Sequence, residues 1–248
     1  MKKEWFEDEK FWEFYSPVIF DENHWAEASA VAKAVAKLAG LKPGASVLDA
    51  GCGPGRISVE LALLGFNVTG VDIIQSELDA ASESALDEGV ELNLLNQDLR
   101  NFTAENKFDC AVNLYTSFGY CEDKQDDYKI LGNIYDSLKP DGVFILESVS
   151  RETSIINFTE GEDFFRSGIK VVTNFKVSGA WEGLRSAWTL FFPDGKKIEH
   201  EFVQRLYSAP ELKEKLLKTG YKTVEVYGGY EKQPYDQNAA TMVLVCKK

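Results

Sequence analysis

The sequence is poor in the residues that build disulfide frameworks and zinc sites. Its 248 residues include only two histidines, His24 and His200. The four cysteines are Cys52, Cys110, Cys121 and Cys246. They form no Cys-x-x-Cys pair, and a chain of this length does not need disulfide staples to fold. The pattern favours reduced thiols in a cytoplasmic protein and predicts no metal site.

Basic residues are outnumbered, and long apolar runs are missing. Lys and Arg number 27 against 40 Asp and Glu, which gives a net charge of −13. Because phosphate contacts need clustered Lys and Arg, this balance argues against nucleic acid or an anionic membrane surface as partner. No apolar run reaches the roughly 18 residues of a membrane span, and the start MKKEWFEDEK lacks the apolar core of a signal peptide. A small-molecule partner is favoured, and the oligomeric state stays open.

What the sequence does contain is an alternation of short apolar runs with helical segments. Apolar runs predict strands at residues 46–49, 67–71, 90–95, 108–114 and 143–148. Helical patterns precede and separate them, at residues 25–38, 56–64, 75–86 and 126–138. Strands and helices that alternate at this spacing predict a doubly wound α/β domain with a parallel sheet.

The alternation stops after the fifth strand. Further β-rich runs lie at residues 169–177, 184–192 and 197–207, and a capped helix and two last strands follow at 209–219, 222–227 and 241–246. We therefore predict an antiparallel β insertion, acting as a substrate cap, at residues 151–207. The main α/β domain would comprise residues 25–150 and 208–248. The aromatic-rich residues 1–24 predict a helix on this domain that also serves as a lid.

A glycine-rich loop follows the first predicted strand in the segment VLDAGCGPGR, residues 47–56. Gly51, Gly53 and Gly55 allow a ligand to approach the backbone closely, and a helix begins directly after them. Ligands of open α/β sheets bind at the carboxyl ends of the strands. The loop lacks both the Gly-Lys-Ser/Thr of a P-loop and the Gly-x-Gly-x-x-Gly of a dinucleotide site. Asp49, which precedes the glycines, suits a ligand with an ammonium group better than a pyrophosphate.

Two further acids follow the next two strands. Asp72 ends the second predicted strand, where a carboxylate can accept hydrogen bonds from ribose hydroxyls. Asp98 follows the third, where a carboxylate can accept from an adenine amino group. Each acid alone is also typical of a strand end or a helix cap. Their occurrence at three successive strand ends, counting Asp49, predicts a nucleotide-like ligand.

The ordered segments VLDAGCGPGR, GVD, QDL, FDCAVNLYTSFGY and LKPDGVFIL resemble class I S-adenosylmethionine-dependent methyltransferases. The resemblance covers residues 25–150 and about the last 40 residues. It implies a Rossmann-like seven-stranded sheet with an antiparallel last strand, and S-adenosylmethionine as cofactor. On this resemblance the cofactor-binding residues are Asp49, Gly51, Cys52, Gly53, Gly55, Asp72, Ile73, Asp98, Leu99 and Asn113.

The acceptor is less defined than the cofactor. The fourth strand is not followed by Asn-Pro-Pro-Tyr, and no Pro-Cys nucleophile occurs, so N- or O-methylation of a small molecule is favoured. The aromatic N-terminus and the β insertion are similar to sugar and glycine-type N-methyltransferases, which puts Tyr15, Tyr120 and Glu147 near the acceptor. Aromatic residues of the insertion are expected to wall the same pocket, namely Phe164, Phe165, Phe175, Trp181 and Trp188. No general base is identified, because the cofactor supplies the reactive group and the protein mainly orients the partners.

Two alternatives to a methyltransferase stay open at this stage. One is a non-catalytic protein that binds S-adenosylmethionine as a scaffold or sensor. The other is a nicotinamide-dependent oxidoreductase, which shares the α/β sheet and the acid after the second strand.

Overall fold

Two sheets organise the computed structural model, which describes residues 4–248. The strands in chain order are β1 (Ser46–Ala50), β2 (Asn67–Asp72), β3 (Asn93–Asn96), β4 (Phe108–Asn113), β5 (Leu138–Ser148), β6 (Gly161–Arg166), β7 (Ile169–Ser178), β8 (Gly183–Phe191), β9 (Lys197–Arg205), β10 (Thr223–Tyr227) and β11 (Met242–Lys247). The larger sheet has the order β10-β11-β5-β4-β1-β2-β3, and β6 to β9 form a second, antiparallel sheet.

The pairing confirms the fold expected from the sequence. Strands β1 to β5 pair in parallel within the larger sheet. Strand β11 is inserted between β5 and β10 and is antiparallel to both. The sheet is therefore Rossmann-like with an antiparallel last strand, and the four-stranded sheet enters the chain after β5.

Helices cover both faces of the larger sheet, and their ends follow local signals. They are α1 (Glu9–Ile19), α2 (Glu22–Ala39), α3 (Arg56–Leu63), α4 (Gln75–Asp87), α5 (Lys124–Ser137), α6 (Arg151–Ile156) and α7 (Ala209–Thr219), preceded by a 3-10 turn at Trp5–Glu7. Asp8 and Asp21 accept backbone hydrogen bonds at the starts of α1 and α2. Ser208 forms a reciprocal capping box with Glu211 at the start of α7. None of the described helices is both long and apolar enough to cross a membrane.

The sequence interpretation was wrong at the start of the insertion. It placed no helix or strand between residues 149 and 168, whereas α6 and β6 occupy part of this segment. A six-residue helix is too short to show a clear 3.6-residue period, and its start depends on the capping box between Ser150 and Thr153. Strand β6 is an edge strand in which no residue is buried and its two phenylalanines are adjacent, so its sequence shows no apolar alternation.

Three apolar clusters stabilise the fold. Alternate residues of the parallel strands point to opposite faces, so one cluster packs against α5 and α7 and a second against α2 and α3. The third cluster joins Phe11, Tyr15 and Val18 of α1 to residues of β7 and β8. The N-terminal helix therefore shares its core with the inserted sheet. Residues 1–3 of the predicted lid segment lie outside the described residues.

Candidate functional site

A cavity of about 360 Å³ lies at the carboxyl ends of β1, β2 and β4, under the N-terminal segment and beside the inserted sheet. Most of the residues predicted for the site line it: Asp49, Gly51, Cys52, Gly53, Asp72, Ile73, Asp98, Leu99 and Tyr120. Gly55, Asn113, Tyr15 and Glu147 are not part of the lining. The predicted site residues therefore divide into those that line the cavity and those that lie outside its lining.

Asp49 is a buried carboxyl group at the end of β1. Its Oδ2 accepts a hydrogen bond of 2.7 Å from the Ser58 hydroxyl of α3. Burial raises the pKa of Asp49 to about 6, because the charged form loses its hydration. A positively charged group in the cavity would favour the charged form of this carboxyl group and lower its pKa.

Asp72 ties the glycine loop to β2. Its two carboxylate oxygens accept from the backbone N–H groups of Gly53 (2.8 Å) and Ile74 (3.0 Å). Burial raises its pKa even though both hydrogen bonds favour the charged form. The N-cap residue of α4 is Ile74, so Asp72 is not the N-cap of that helix. Its remaining lone pairs are available to a ligand in the cavity.

Asp98 follows β3 and is held by an arginine. Its carboxylate accepts from the backbone N–H of Arg100 (2.8 Å) and from Nε of the same residue (2.7 Å). The Arg100 guanidinium also pairs with Glu7 of the N-terminal turn. These contacts join the predicted adenine contact to the segment that covers the cavity.

Three predicted cofactor residues have packing roles in the structure. A Cβ on Gly55, whose φ is +79°, would lie 2.7 Å from Cβ of Ala81, so this glycine allows α3 and α4 to approach. The Cys52 sulfur packs against Gly70 of β2, and burial raises the pKa of its thiol well above the ordinary value. Asn113 donates to the Ala50 carbonyl (2.6 Å), and its buried Oδ1 has no partner among the described residues.

The loop after β4 adopts an unusual backbone that Glu147 supports from behind. Tyr115 and Thr116 have φ values of +53° and +64°, which are uncommon for residues with a side chain. The Glu147 carboxylate accepts from the Tyr115 N–H (2.6 Å) and from the Thr241 hydroxyl, and its carbonyl accepts from the Thr116 N–H (3.3 Å). The geometry places Glu147 behind the loop, where it positions residues that line the cavity.

The two tyrosines predicted near the acceptor occupy different positions. Tyr15 is buried between α1 and the inserted sheet, where its hydroxyl donates to the Trp188 carbonyl (3.1 Å). Tyr120 lines the cavity, and its ring meets that of Trp5 edge to face with centroids 5.0 Å apart. Burial raises the pKa of Tyr120, so its hydroxyl stays protonated. Of the two, only Tyr120 lines the cavity.

Sequence reasoning missed several charged residues of the cavity, among them Arg56 and Glu77. Arg56 begins α3 directly after the glycine loop, is 4% exposed, and stacks on the Tyr115 ring at 3.6 Å from its centroid. Glu77 in α4 accepts from the Ser16 hydroxyl of α1, and burial raises its pKa to about 7. Because Arg56 belongs to the glycine-loop segment, its position in the sequence could have identified it as a site residue. Nothing in the local pattern marks Glu77 as buried.

The inserted sheet contributes fewer aromatic side chains to the cavity than expected. Trp188 of β8 and Phe202 of β9 line it. The other aromatic residues expected there do not, namely Phe164, Phe165, Phe175 and Trp181. Phe165 is 74% exposed, and Trp181 packs on Phe158 instead. Strand alternation accounts for Phe165, which points away from the face that carries Trp188. Phe164 shares the face of Trp188 but packs into the apolar cluster with α1 instead of lining the cavity.

The cavity fits the chemistry of S-adenosylmethionine. Its described lining carries carboxyl groups of Asp49, Asp72 and Asp98 at three strand ends, which suits a ligand with hydroxyl, amino and cationic groups. The buried Arg56 guanidinium offers a partner for a carboxylate at the glycine-loop end.

Comparison with known proteins gives one family. Residues 47–142 match the family model described as a methyltransferase domain. A Geobacillus protein named as a methyltransferase is 24% identical over 218 residues, covering 82% of this chain and 84% of its own. A ubiquinone biosynthesis O-methyltransferase of Rickettsia felis is 31% identical over 105 residues, covering 42% of this chain and 41% of its own length.

Solved structures share the whole fold. An S-adenosylmethionine-dependent methyltransferase from Clostridium acetobutylicum superposes with a TM-score of 0.78 at 21% identity, covering 96% of this chain and 97% of that one. An amino pentose methyltransferase from Micromonospora echinaspora, with bound S-adenosylmethionine, gives 0.67 at 19% identity, covering 90% and 92%. Together with the motif-bearing region and the strand order, these matches favour a methyltransferase over a nicotinamide-dependent oxidoreductase. Residues 47–142 are therefore a methyltransferase domain, and the chain as a whole has the fold of S-adenosylmethionine-dependent methyltransferases.

Proposed function

We propose that this methyltransferase transfers the methyl group to a nitrogen or oxygen of a small-molecule acceptor. The observation that carries the proposal is a single cavity that combines a carboxylate-lined part with an aromatic part. The carboxylate-lined part, at the strand ends, is the cofactor half. The aromatic half consists of rings from the N-terminal segment, the loop after β4 and the inserted sheet, and holds the acceptor.

The roles of the cofactor half follow from its side chains. Asp72 accepts from the ribose hydroxyls, while Ile73, Asp98 and Leu99 contact the adenine. At the other end of this half, Asp49 attracts the methionine ammonium group and Arg56 pairs with its carboxylate. Gly53 gives the cofactor access to the loop backbone, which Asp72 holds in place.

Catalysis in this proposal depends on orientation. S-adenosylmethionine, when bound, would supply an electrophilic methyl group, so that the protein's task is to orient the acceptor. The loop at Tyr115 and Thr116, supported by Glu147, fixes the wall next to the reacting atoms. The N-terminal segment and the inserted sheet exclude water and hold the acceptor in line. Tyr120 lines the cavity, and in this proposal its hydroxyl orients the acceptor.

Relatives act on both kinds of acceptor atom. The Rickettsia enzymes are O-methyltransferases, and a solved relative from Streptoalloteichus is a sugar N-methyltransferase. These relatives therefore support either a nitrogen or an oxygen as the acceptor atom.

Calorimetric titration tests the cofactor first. S-adenosylmethionine and S-adenosylhomocysteine are expected to bind with micromolar-scale dissociation constants, about −8 kcal/mol, and NAD is not. Heat from NAD alone would contradict the proposal. Turnover of a labelled methyl group against a pool of small molecules then separates an enzyme from a non-catalytic binding protein, since only an enzyme transfers the label.

A further inference from the structure

The aromatic half of the cavity is a wall of rings from three separate parts of the chain. Trp5 of the N-terminal turn stacks on Phe202 of β9, with centroids 4.5 Å apart and planes 19° apart. Tyr120 approaches both rings edge to face. On the other side, Trp12 and Phe20 lie nearly parallel, with planes 15° apart, and Phe20 packs over Gly53. Flat apolar faces of this kind stack favourably on a flat ligand.

The wall has no charge to offer to an acceptor. Two permanent cations line the described cavity, Arg56 and Arg100. The Arg56 guanidinium donates to the His24 carbonyl and lies at the glycine-loop end, and Arg100 is held by Asp98 and Glu7. Neither is left for a carboxylate or phosphate on the acceptor. An anionic acceptor buried here would lose its hydration without gaining a partner.

The carboxyl groups of the lining are committed as well. Asp49, Asp72 and Asp98 belong to the cofactor half. Glu77 is bonded to the Ser16 hydroxyl, and Asp127 to the Tyr207 hydroxyl (2.8 Å) and Arg205 (3.2 Å). A cationic acceptor therefore finds no carboxylate at the wall that lacks a hydrogen-bond partner.

Unpaired nitrogen atoms occur within the ring wall. The indole N–H groups of Trp5 and Trp188 and Nε2 of His200 are buried and have no hydrogen-bond partner among the described residues. An indole nitrogen can only donate, and a buried donor without a partner is destabilising. The Trp5 and Trp188 rings line the cavity, and His200 packs against Trp5 with centroids 5.6 Å apart. A ligand seated between these segments could supply the missing acceptor atoms as the N-terminal segment closes over it.

We propose that the acceptor is an uncharged, planar aromatic or heteroaromatic molecule with hydrogen-bond-accepting oxygen or nitrogen atoms at its edge. The stacked walls select a flat ring, the committed ion pairs select against charge, and the unpaired donors select edge acceptors. This inference rests on the proposed function in one respect, because it assigns the aromatic half to the acceptor.

Calorimetry of the full chain saturated with S-adenosylhomocysteine tests the class with matched probes. 2-Naphthol is neutral, planar and oxygenated, 3-hydroxy-2-naphthoate adds a carboxylate, decahydro-2-naphthol removes the planarity, and 2-naphthylmethylammonium adds a positive charge. The dissociation constant of 2-naphthol is expected to be at least about tenfold lower than that of each other probe. Equal or tighter binding of a charged or saturated probe would overturn the proposal.

Variants locate the binding. Phe202→Leu is expected to weaken 2-naphthol about tenfold, and Trp188→Phe, which keeps a ring and deletes the N–H, about threefold. Trp25→Phe, at a partly exposed position outside the cavity, is the matched control and should change nothing. S-adenosylhomocysteine affinity should stay unchanged in all three, which also shows that they fold. If 2-naphthol binding is insensitive to Phe202→Leu, the wall does not hold the acceptor.

The same experiment separates the two proposals. If S-adenosylhomocysteine binds and 2-naphthol is not preferred, the acceptor class is wrong and the methyl-transfer function is unaffected. If S-adenosylhomocysteine does not bind, the proposed function fails, whatever the probe series shows.

Discussion

The two halves of the cavity are built in different ways. In the cofactor half, the side chains belong to strand ends and loops of one sheet, and backbone hydrogen bonds such as Gly53 N–H to Asp72 hold them. In the aromatic half, Trp5, Tyr120 and Phe202 come from three segments that are far apart in the sequence. The first half exists once the sheet has formed, whereas the second requires the N-terminal segment to dock.

Because of this difference, we expect the cofactor half to contribute to the stability of the fold and the aromatic half to determine acceptor specificity. The cofactor half is part of the main core, so changes there should affect folding and cofactor affinity together. The aromatic half rests on the smaller cluster between α1 and the inserted sheet, so it can open and close with less effect on the main domain. The predictions below test this contrast, in order of decreasing expected effect.

The largest effect is expected from Gly55→Ala, in the packing beneath the cofactor half. The new Cβ would lie 2.7 Å from the Ala81 Cβ, at a φ of +79°. Overpacking and left-handed strain together should lower the free energy of unfolding by about 2–4 kcal/mol. Gly65→Ala is the control, because its φ is +86° but nothing lies within 4 Å. Urea unfolding that gives equal losses for the two variants would show that Gly55 has no packing role.

Asp72→Ala comes next and tests the cofactor half directly. We expect cofactor binding to weaken by roughly 1.5–3 kcal/mol, because charged hydrogen bonds to ribose hydroxyls and to the Gly53 N–H are lost. The exposed Asp87 at the end of α4 provides the control Asp87→Ala. Calorimetry should give an unchanged dissociation constant for the control. An unchanged constant for Asp72→Ala would reduce its role to shaping the loop.

The contrast between the halves also explains what the sequence could predict. The glycine loop and the acids after β1, β2 and β3 lie in short contiguous segments, so their type and spacing indicated a nucleotide-like ligand at the strand ends. Pairing of β11 between β5 and β10 followed from the family resemblance rather than from residue patterns. These features account for the confirmed fold and for the cavity-lining position of most predicted cofactor residues.

The site features that could not be predicted from the sequence depend on which surfaces pack against each other in the fold. Alternation in β8 and β9 gives each strand two faces, but only docking of α1 decides that Phe202 faces the cavity. Glu77 looks like any acidic residue in the first turn of a helix until Ser16 of α1 covers it. Glu147 was read as an acceptor contact, because its support of the Tyr115 loop depends on a bend that the sequence does not reveal.

Glu77 predicts a pH dependence at the junction of the two halves. Burial raises its pKa to about 7 in the folded chain, above the roughly 4.3 of an unfolded glutamate. The folded state then binds more protons between these values, so this contribution to stability is complete below about pH 4 and is lost as pH rises through 7. The Glu77→Gln side chain can still accept from Ser16 but carries no titrating group. Between pH 5 and pH 8, the free energy of unfolding of this variant should therefore rise by about 1–2 kcal/mol relative to that of the unmodified chain.

Chemical denaturation of both proteins at several pH values measures this difference. The exposed Glu83 on the same helix gives the control Glu83→Gln, which should follow the unmodified chain. A Glu77→Gln variant with the same pH profile as the unmodified chain would show that this carboxyl group titrates normally.

The smallest effect is expected at the ion pair that holds the N-terminal turn over the adenine end. The Arg100 guanidinium pairs with Glu7 and Asp98, and the three side chains are 17%, 22% and 20% exposed. Because partly exposed ion pairs contribute little, Arg100→Met should lower the free energy of opening of the turn by only about 0.5–1 kcal/mol.

Hydrogen exchange measures this opening. Exchange at the Asp8 amide, which donates to the Trp5 carbonyl, should accelerate by about two- to fivefold, while exchange at the Gly53 amide stays unchanged. Arg185→Met, which removes an exposed pair with Glu201 on the inserted sheet, should change neither amide. Equal acceleration at Asp8 and Gly53 would mean that the two halves open as one unit, and the distinction between a preformed cofactor half and a docked aromatic half would fail.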